Sequence, residues 1–378
     1  MKKCIIIPDS FKGTLSSVQV CTIIKEEVEK QFSNCECVAL PVADGGEGTV
    51  DSFLYAMPEG EKVTLEVEGP YSEPVEAYYG RFGDLACIEM AAAAGLPLVG
   101  NRLDPSNTTT FGVGLLIRHA LDHGAKRIVL GLGGSATNDG GCGCAAALGA
   151  IFKDKDGNSI IPVGRTLSDV VDIDLSAIRK RLEAIDITAM VDVQNPLIGL
   201  DGAAHIYGPQ KGADPEMVRV LDDNLRHLDG ILQAKLGMES LANTPGAGAA
   251  GGFGAGVLAF LGGTLCSGIE TVLDVVAFDE QIADADVIFT GEGRLDEQSL
   301  SGKVISGVAS HASKQNVPVV AVVGSVGDHI DAIYDRGVSA VFSINRTAEA
   351  FEVARTRSER NVRETIADIL RLMRIRLT

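Results

Sequence analysis

Five stretches of the chain set acids, amides, hydroxyls and cations directly after short apolar runs. Asp9, Ser10 and Lys12 follow Cys4–Ile7, and Asp44, Gly45, Gly46 and Glu47 follow Cys37–Val42. Ser135, Thr137, Asn138 and Asp139 come after Arg127–Leu132, by way of Gly133 and Gly134. Asp192 and Asn195 follow Ile187–Val191, and Gly291, Glu292, Gly293, Arg294 and Asp296 follow Val287–Thr290. Lys211 and Lys303 add two more cations. This mixture suits phosphoryl transfer. A transferring phosphoryl group spreads negative charge over its oxygens and needs Lys, Arg and Mg²⁺ to hold it. Mg²⁺ takes a few carboxylates and completes its shell with water and phosphate. Glycine lets backbone N–H groups approach a phosphate, and an acceptor hydroxyl needs a carboxylate to take its proton. Lys303, next to Gly302 at the start of a helical pattern, opposes the helix dipole, so an anion is its natural partner. Each stretch also has a plainer reading: a helix cap at Asp9, turns at Asp44-Gly-Gly and Asp139-Gly-Gly, a local ion pair for Arg294 and Asp296. The plainer readings weaken because all five loops share one polar pattern.

The elements that would position these residues alternate. A short apolar strand leads through a polar, glycine-containing loop into an amphipathic helix, which predicts an α/β protein with largely parallel sheet. Polar residues at the carboxyl ends of such strands lie where ligands bind. Ser16-x-x-Gln19 is a capping-box signal, and Val20, Cys21, Ile23, Ile24 and Val28 follow it at helical spacing. Further strands are expected at Val317–Val323 and Val338–Ile344, and a last helix near Ser358–Ile375. Val63–Val67, Val75–Phe82 and Cys87–Met90 read as antiparallel strands, and Asp154–Gly157 and Arg165–Ala184 as surface connection. The expected organisation is two domains. A Rossmann- or flavodoxin-like parallel-sheet domain is formed by both chain ends, residues 1–65 and 285–378. A second α/β domain, residues 66–284, is inserted between them and carries the antiparallel strands.

Composition narrows the classes. With 51 Asp and Glu against 33 Lys and Arg, a net charge of −18, a basic nucleic-acid-reading surface is disfavoured. An apolar fraction of 46% excludes disorder. Glycine numbers 44, well above the usual share of about 7%. Half of the glycines fall in residues 45–48, 131–149, 246–268 and 291–302. The eight cysteines form no zinc pattern, and the apolar run at the N-terminus is too short for a signal peptide, so a cytoplasmic chain with reduced thiols is expected. Ser240–Ile269 is uncharged and long enough to span a bilayer, but its glycines favour a loop leading into a buried helix. His119 and His123 read as a pair closing a helix rather than a metal site.

Named motifs exclude other enzymes. Gly302-Lys303 is followed by Val304, and Glu297 stands where a P-loop needs its first Gly. There is no protein-kinase set and no Gly-x-Ser-x-Gly elbow. Gly131-x-Gly133-x-x-Ala136 fits a degenerate dinucleotide fingerprint, whose acidic partner would be Asp154 or Asp156. A nicotinamide-dependent dehydrogenase and a non-catalytic sensor of a nucleotide or hydroxy acid therefore stand as competing classes.

Several long stretches carry a resemblance. They are Pro8-Asp-Ser-Phe-Lys-Gly13, Asp44-Gly-Gly-Glu-Gly-Thr49, Ile88-Glu-Met-Ala91, Gly133-Gly-Ser-Ala-Thr-Asn-Asp-Gly-Gly141 and Asp192-Val-Gln-Asn-Pro-Leu197. Gly208-Pro-Gln-Lys-Gly-Ala213, Pro245-Gly-Ala-Gly-Ala-Ala-Gly-Gly252, and Thr290-Gly-Glu-Gly-Arg-Leu-Asp296 with Gly302-Lys303 complete the set. In these the sequence resembles the bacterial glycerate kinase family, of the glycerate 2-kinase type, over essentially its whole length. The resemblance implies ATP-dependent, Mg²⁺-dependent phosphorylation of D-glycerate, to 2-phosphoglycerate, at a cleft between two domains. It implies small-molecule partners only, without nucleic acid or membrane, and leaves a homodimer open. On this reading Lys12 and Lys303 hold phosphoryl oxygens, assisted by Lys211 and by backbone at Gly45, Gly46, Gly133, Gly134, Gly291 and Gly293. Asp44, Glu47, Glu292 or Asp296 holds Mg²⁺. Arg294 pairs with the glycerate carboxylate, with Ser10, Ser135, Asn138 and Asn195 around the substrate. Asp192 is the expected base, and Asp9 the alternative.

Overall fold

The computed structural model describes residues 1–43, 45–296 and 303–375. Asp44, Gly302 and Glu297 lie outside the described residues. The strands, in chain order, are β1 (Lys3–Pro8), β2 (Glu36–Ala39), β3 (Glu61–Glu68), β4 (Pro74–Phe82), β5 (Leu85–Glu89), β6 (Arg127–Gly131) and β7 (Ile151–Lys153). They continue with β8 (Ser159–Ile160), β9 (Asp172–Asp174), β10 (Asp186–Met190), β11 (Thr264–Cys266), β12 (Val287–Leu295), β13 (Val319–Val326) and β14 (Val338–Ser343). The chain divides into two compact units: Met1–Ala43, Tyr55–Pro58 and Ile269–Thr378 form the first, Asp44–Leu54 and Glu59–Gly268 the second.

The first unit is built on a five-stranded sheet ordered β14-β13-β12-β1-β2, and every pairing is parallel. Counting only this unit's strands along the chain, the order is 2-1-3-4-5, the flavodoxin-like arrangement. Its switch point lies between β1 and β12, where such sheets bind ligands. Helix α1 (Ser17–Gln31) opens with the capping box read from sequence: Gln19 N donates to Ser16 Oγ at 3.2 Å and Ser16 N to Gln19 Oε1 at 2.9 Å. Such a cap contributes about 1 kcal/mol. Its stripe of Val20, Cys21, Ile23, Ile24 and Val28 is buried with Cys4 and Ile6 of β1 and Ile366 and Leu370 of the last helix, Ser358–Met373.

Gly291-Glu-Gly-Arg-Leu, read from sequence as a loop, instead continues β12, in register with Val322–Val326 of β13. Backbone packing explains the glycine. A Cβ on Gly291 would come within 2.0 Å of the Val322 carbonyl oxygen, so only glycine admits the neighbouring strand. Residues 269–284, assigned by the sequence reading to the inserted segment, cluster with the first unit: a Cβ on Gly307 would touch Ile269, and His311 bonds Asp279 at 2.7 Å.

The second unit carries a six-stranded sheet ordered β11-β10-β6-β5-β4-β3. β11, β10, β6 and β5 run parallel, and β4 and β3 complete it antiparallel, as the sequence indicated. Residues 45–54 belong here, because the N-terminus of helix α2 (Thr49–Ala56) is hydrogen-bonded to Glu89 at the end of β5. The stretch read as surface connection is partly structural. β7, β8 and β9 form a small antiparallel sheet, with Phe152, Leu167, Val170 and Ile178 fully buried in the core. The uncharged Ser240–Ile269 stretch holds buried short helices at Ala249–Gly256 and Val257–Leu261. Among the described residues no helix is long and apolar enough to cross a membrane. The eight cysteines are free thiols.

Candidate active site

In the second unit the carboxyl ends of β5, β6 and β10 share one sheet edge, and each delivers part of the site. After β6 the chain enters Gly133–Gly141. Its anchor is Asp139, fully buried, whose carboxylate accepts Thr110 N and Thr110 Oγ1 at 2.8 Å, Gly141 N at 3.1 Å and Gly143 N at 3.2 Å. Burial raises the Asp139 carboxyl above its ordinary range, and these four donors oppose the rise. The start of the loop is pinned from the other side, with Leu96 N donating to the Gly134 carbonyl and Ala136 N to that of Ala94, both at 2.9 Å.

Lys211 reaches into this loop. Its side chain is buried, and Nζ donates to Ser135 Oγ and to the Thr137 carbonyl, each at 2.7 Å. Removal from water lowers its pKa from 10.5 to about 7, against the upward pull of Asp139. After β10, Asp192 Oδ1 accepts Gly268 N at 2.7 Å. Asn195 is a brace: Nδ2 donates to the Asp201 carbonyl at 2.8 Å, and Oδ1 accepts the Tyr207 hydroxyl at 2.6 Å. Gly45 closes over the edge. Its carbonyl accepts Gly133 N at 3.0 Å, and a Cβ on Gly131 would stand 2.3 Å from that oxygen.

Beside these residues lies a half-open cavity of about 270 Å³. Gly46, Gly133, Gly134, Ser135, Asp192 and Lys211 line it, all singled out from sequence. Tyr207, Gln210, Met190 and Ala250 also line it, and sequence reasoning assigned them no role. Gln210 lay inside a matching stretch and Tyr207 one residue before it, which was the available signal. The volume falls just below the range of about 300–1,000 Å³ usual for ligand sites. Asn138 is fully buried beneath the Gly251 backbone. Its amide atoms and the Thr137 hydroxyl make no hydrogen bond among the described residues. Glu47 is exposed.

The remaining candidates belong to the first unit, at its switch point. Asp9 N donates to the Gly291 carbonyl at 2.8 Å, and Ser10 N to Asp9 Oδ1 at 2.6 Å. Gly293 lies against the backbone of Phe11 and Lys12, and the Lys12 side chain is exposed. Arg294 Nε lies 3.5 Å from Asp296 Oδ2, the arginine side chain 70% exposed, so this pair adds little stability. Glu292 is buried. Lys303 is the exposed N-cap residue of helix Val304–Lys314.

Two other sequence features resolve elsewhere. Asp154 accepts Asp156 N and Asn158 N, both at 2.9 Å, inside the β7–β8 turn. It is therefore not the strand-end acid of a dinucleotide fold. His119 and His123 stack at 4.0 Å between ring centroids at the end of helix Phe111–Asp122, with His119 Nδ1 3.1 Å from the Tyr79 hydroxyl.

Comparison with known proteins finds relatives along the whole chain. Residues 4–374 match the model of the glycerate kinase family. A glycerate kinase of Bacillus cereus is 46% identical over 376 residues, covering 99% of this chain and 98% of that protein. Glycerate 2-kinase of Escherichia coli K12 is 44% identical over 375 residues, covering 97% and 98%. A crystal structure from Salmonella typhimurium LT2, named for glycerate kinase 2, superposes with a TM-score of 0.87 at 43% identity and covers 98% of both chains.

Proposed function

The chain belongs to the glycerate kinase family, and from that premise we propose that it transfers the γ-phosphoryl group of ATP to the 2-hydroxyl of D-glycerate, with the Asp192–Lys211 cavity holding the reacting groups. The observation that carries this is the convergence of a carboxylate, a buried ammonium and a glycine loop on one small cavity.

Asp192 takes the proton of the glycerate hydroxyl as that oxygen forms its bond to the γ-phosphorus. The bond from phosphorus to the β-γ bridging oxygen breaks, and ADP leaves. Gly268 N–H fixes one Asp192 oxygen, so the carboxylate is oriented before substrate arrives. Lys211 directs positive charge at a phosphoryl oxygen. Its bonds to Ser135 and Thr137 hold the ammonium in place, so little reorganisation is needed in the transition state. Backbone N–H groups of Gly133 and Gly134 assist, and Tyr207, braced by Asn195, forms part of the wall.

In the first unit, Lys12 and Lys303 are proposed to hold ATP phosphates and Arg294 the glycerate carboxylate, with Asp9 as the alternative base. Asp44, Glu47, Glu292 or Asp296 would hold Mg²⁺, each a hard oxygen donor of the kind that ion takes, with water and phosphate completing its shell, since among the described residues no three such side chains group together. Bound with ATP, the metal would neutralise phosphate charge. A cytoplasmic setting goes with these substrates. A coupled ADP-release assay with D-glycerate, ATP and Mg²⁺ tests the reading. ADP should appear only when glycerate is present, and ADP release indifferent to glycerate would exclude it.

A further inference from the structure

Glu89 ends β5 inside a stretch that matched the family, and no role above uses it. It is 1% exposed, a costly place for a carboxylate unless hydrogen bonds hold it there. Oε1 accepts Val50 N at 2.7 Å, the Tyr78 hydroxyl lies 3.5 Å from Oε2, and the Gly48 backbone lies close enough to pull the carboxyl's pKa down. Val50 and Gly48 mark the start of α2. Four amides at a helix start lack helical partners and are usually capped by the residue just before the helix. Here that residue is Gly48, which has no side chain, so a carboxylate from another strand supplies the cap. The other end of the same loop is fixed separately: the Gly45 carbonyl accepts Gly133 N at 3.0 Å, and Gly45 packs on Met190 and Gly131. Between the two anchors stand Gly46, which lines the cavity, and Glu47.

We propose that Glu89 is a positioning residue for phosphoryl transfer, capping α2 from a neighbouring strand and so holding the Gly45–Gly48 loop against the cavity. The inference rests on the reading of the cavity given above. A negative charge also complements the positive end of the α2 dipole. Burial raises the Glu89 carboxyl above its ordinary range, while the Val50 and Gly48 amides pull it back.

The test is Glu89→Gln in the full chain, with Glu89→Asp as second variant. Gln keeps the volume but loses the charge facing the start of α2, and its NH₂ must turn toward either the Val50 amide or the Tyr78 hydroxyl. Asp keeps the charge but falls a methylene short of α2. Three quantities are read: kcat and KM for D-glycerate, the melting temperature, and amide hydrogen exchange across residues 45–56. Both variants should melt within a few degrees of the wild type and exchange residues 45–52 at least tenfold faster, with β5 and β6 unchanged. For both, kcat should fall at least tenfold while KM moves less than threefold. Wild-type kcat in both variants would overturn the proposal. So would a loss of kcat accompanied by faster exchange throughout the second unit, which is what a purely structural role gives. If the wild type fails to phosphorylate glycerate, the functional reading falls. The exchange data alone then decide whether Glu89 holds the loop.

Discussion

Lys211 offers the sharpest handle on the chemistry, because its charge is poised near neutral pH. The ammonium is buried and bonded to Ser135 and Thr137, and its pKa is lowered from 10.5 to about 7. If that ammonium must meet an anionic oxygen, the free enzyme is competent only when Lys211 is protonated. The protonated fraction is about 0.9 at pH 6, about 0.1 at pH 8 and about 0.01 at pH 9, by the ordinary titration relation around pKa about 7. The assay is kcat/KM from pH 6 to 9 with ATP and D-glycerate both well below KM, so that the free enzyme is the species that titrates. The rate constant should fall about fivefold from pH 7 to 8 and about tenfold per unit above that. At saturation kcat should stay level to higher pH, since a bound anion stabilises the ammonium. Lys211→Arg stays charged throughout and should abolish the alkaline decline even where its fork geometry lowers the absolute rate. Lys211→Met should lose activity at every pH. A flat kcat/KM in the wild type, or a fully active Lys211→Met, would refute the assignment. Stability gives an independent reading. Below pH 7 the lysine is protonated folded and unfolded, and the cost of burying it is fully present. Between about 7 and 10.5 the unfolded chain binds more protons, so ligand-free stability should rise with pH by up to about 1.4 kcal/mol per unit from this group. Lys211→Met should remove that slope.

Two further substitutions probe the frame. Gly291→Ala places a Cβ about 2.0 Å from the Val322 carbonyl oxygen and should destabilise the first unit by about 1–3 kcal/mol, read by denaturant unfolding; an unchanged midpoint would mean that β12 and β13 separate freely. Tyr207→Phe removes the hydroxyl bonded to Asn195 and should raise the glycerate KM several-fold with kcat within twofold; an unchanged KM would take Tyr207 out of the cavity wall's function.

Much of the frame was legible in the sequence. Apolar runs ending in polar residues located β1, β6 and β10 and, at their ends, Asp9, Ser135 and Asp192. Ser16 and Gln19 announced α1. What escaped was set by distant partners. Gly291 and Gly293 resemble a phosphate loop when read alone, but both lie inside β12, and β13 packs so closely on Gly291 that no side chain fits there. β7–β9 are too short to show a period, and Phe152 and Leu167 are recognised as core only once the chain folds back. The depth of Lys211 depends on Ser135 and Thr137, more than seventy residues earlier. Glu89 stood inside a matching stretch, but its partner Val50 lies 39 residues away, and capping signals are sought only next to a helix.

The central claim is that the cavity built on β6 and β10 performs the transfer, with Asp192 receiving the hydroxyl proton. The most direct measurement compares the wild type with Asp192→Asn for D-glycerate-dependent ADP release, with ³¹P NMR identifying the product. The wild type should form 2-phosphoglycerate one-for-one with ADP. Asp192→Asn, nearly isosteric and still able to accept from Gly268, should lose kcat by at least about a hundredfold with little change in KM. An Asp192→Asn enzyme that turns over at the wild-type rate would contradict the claim.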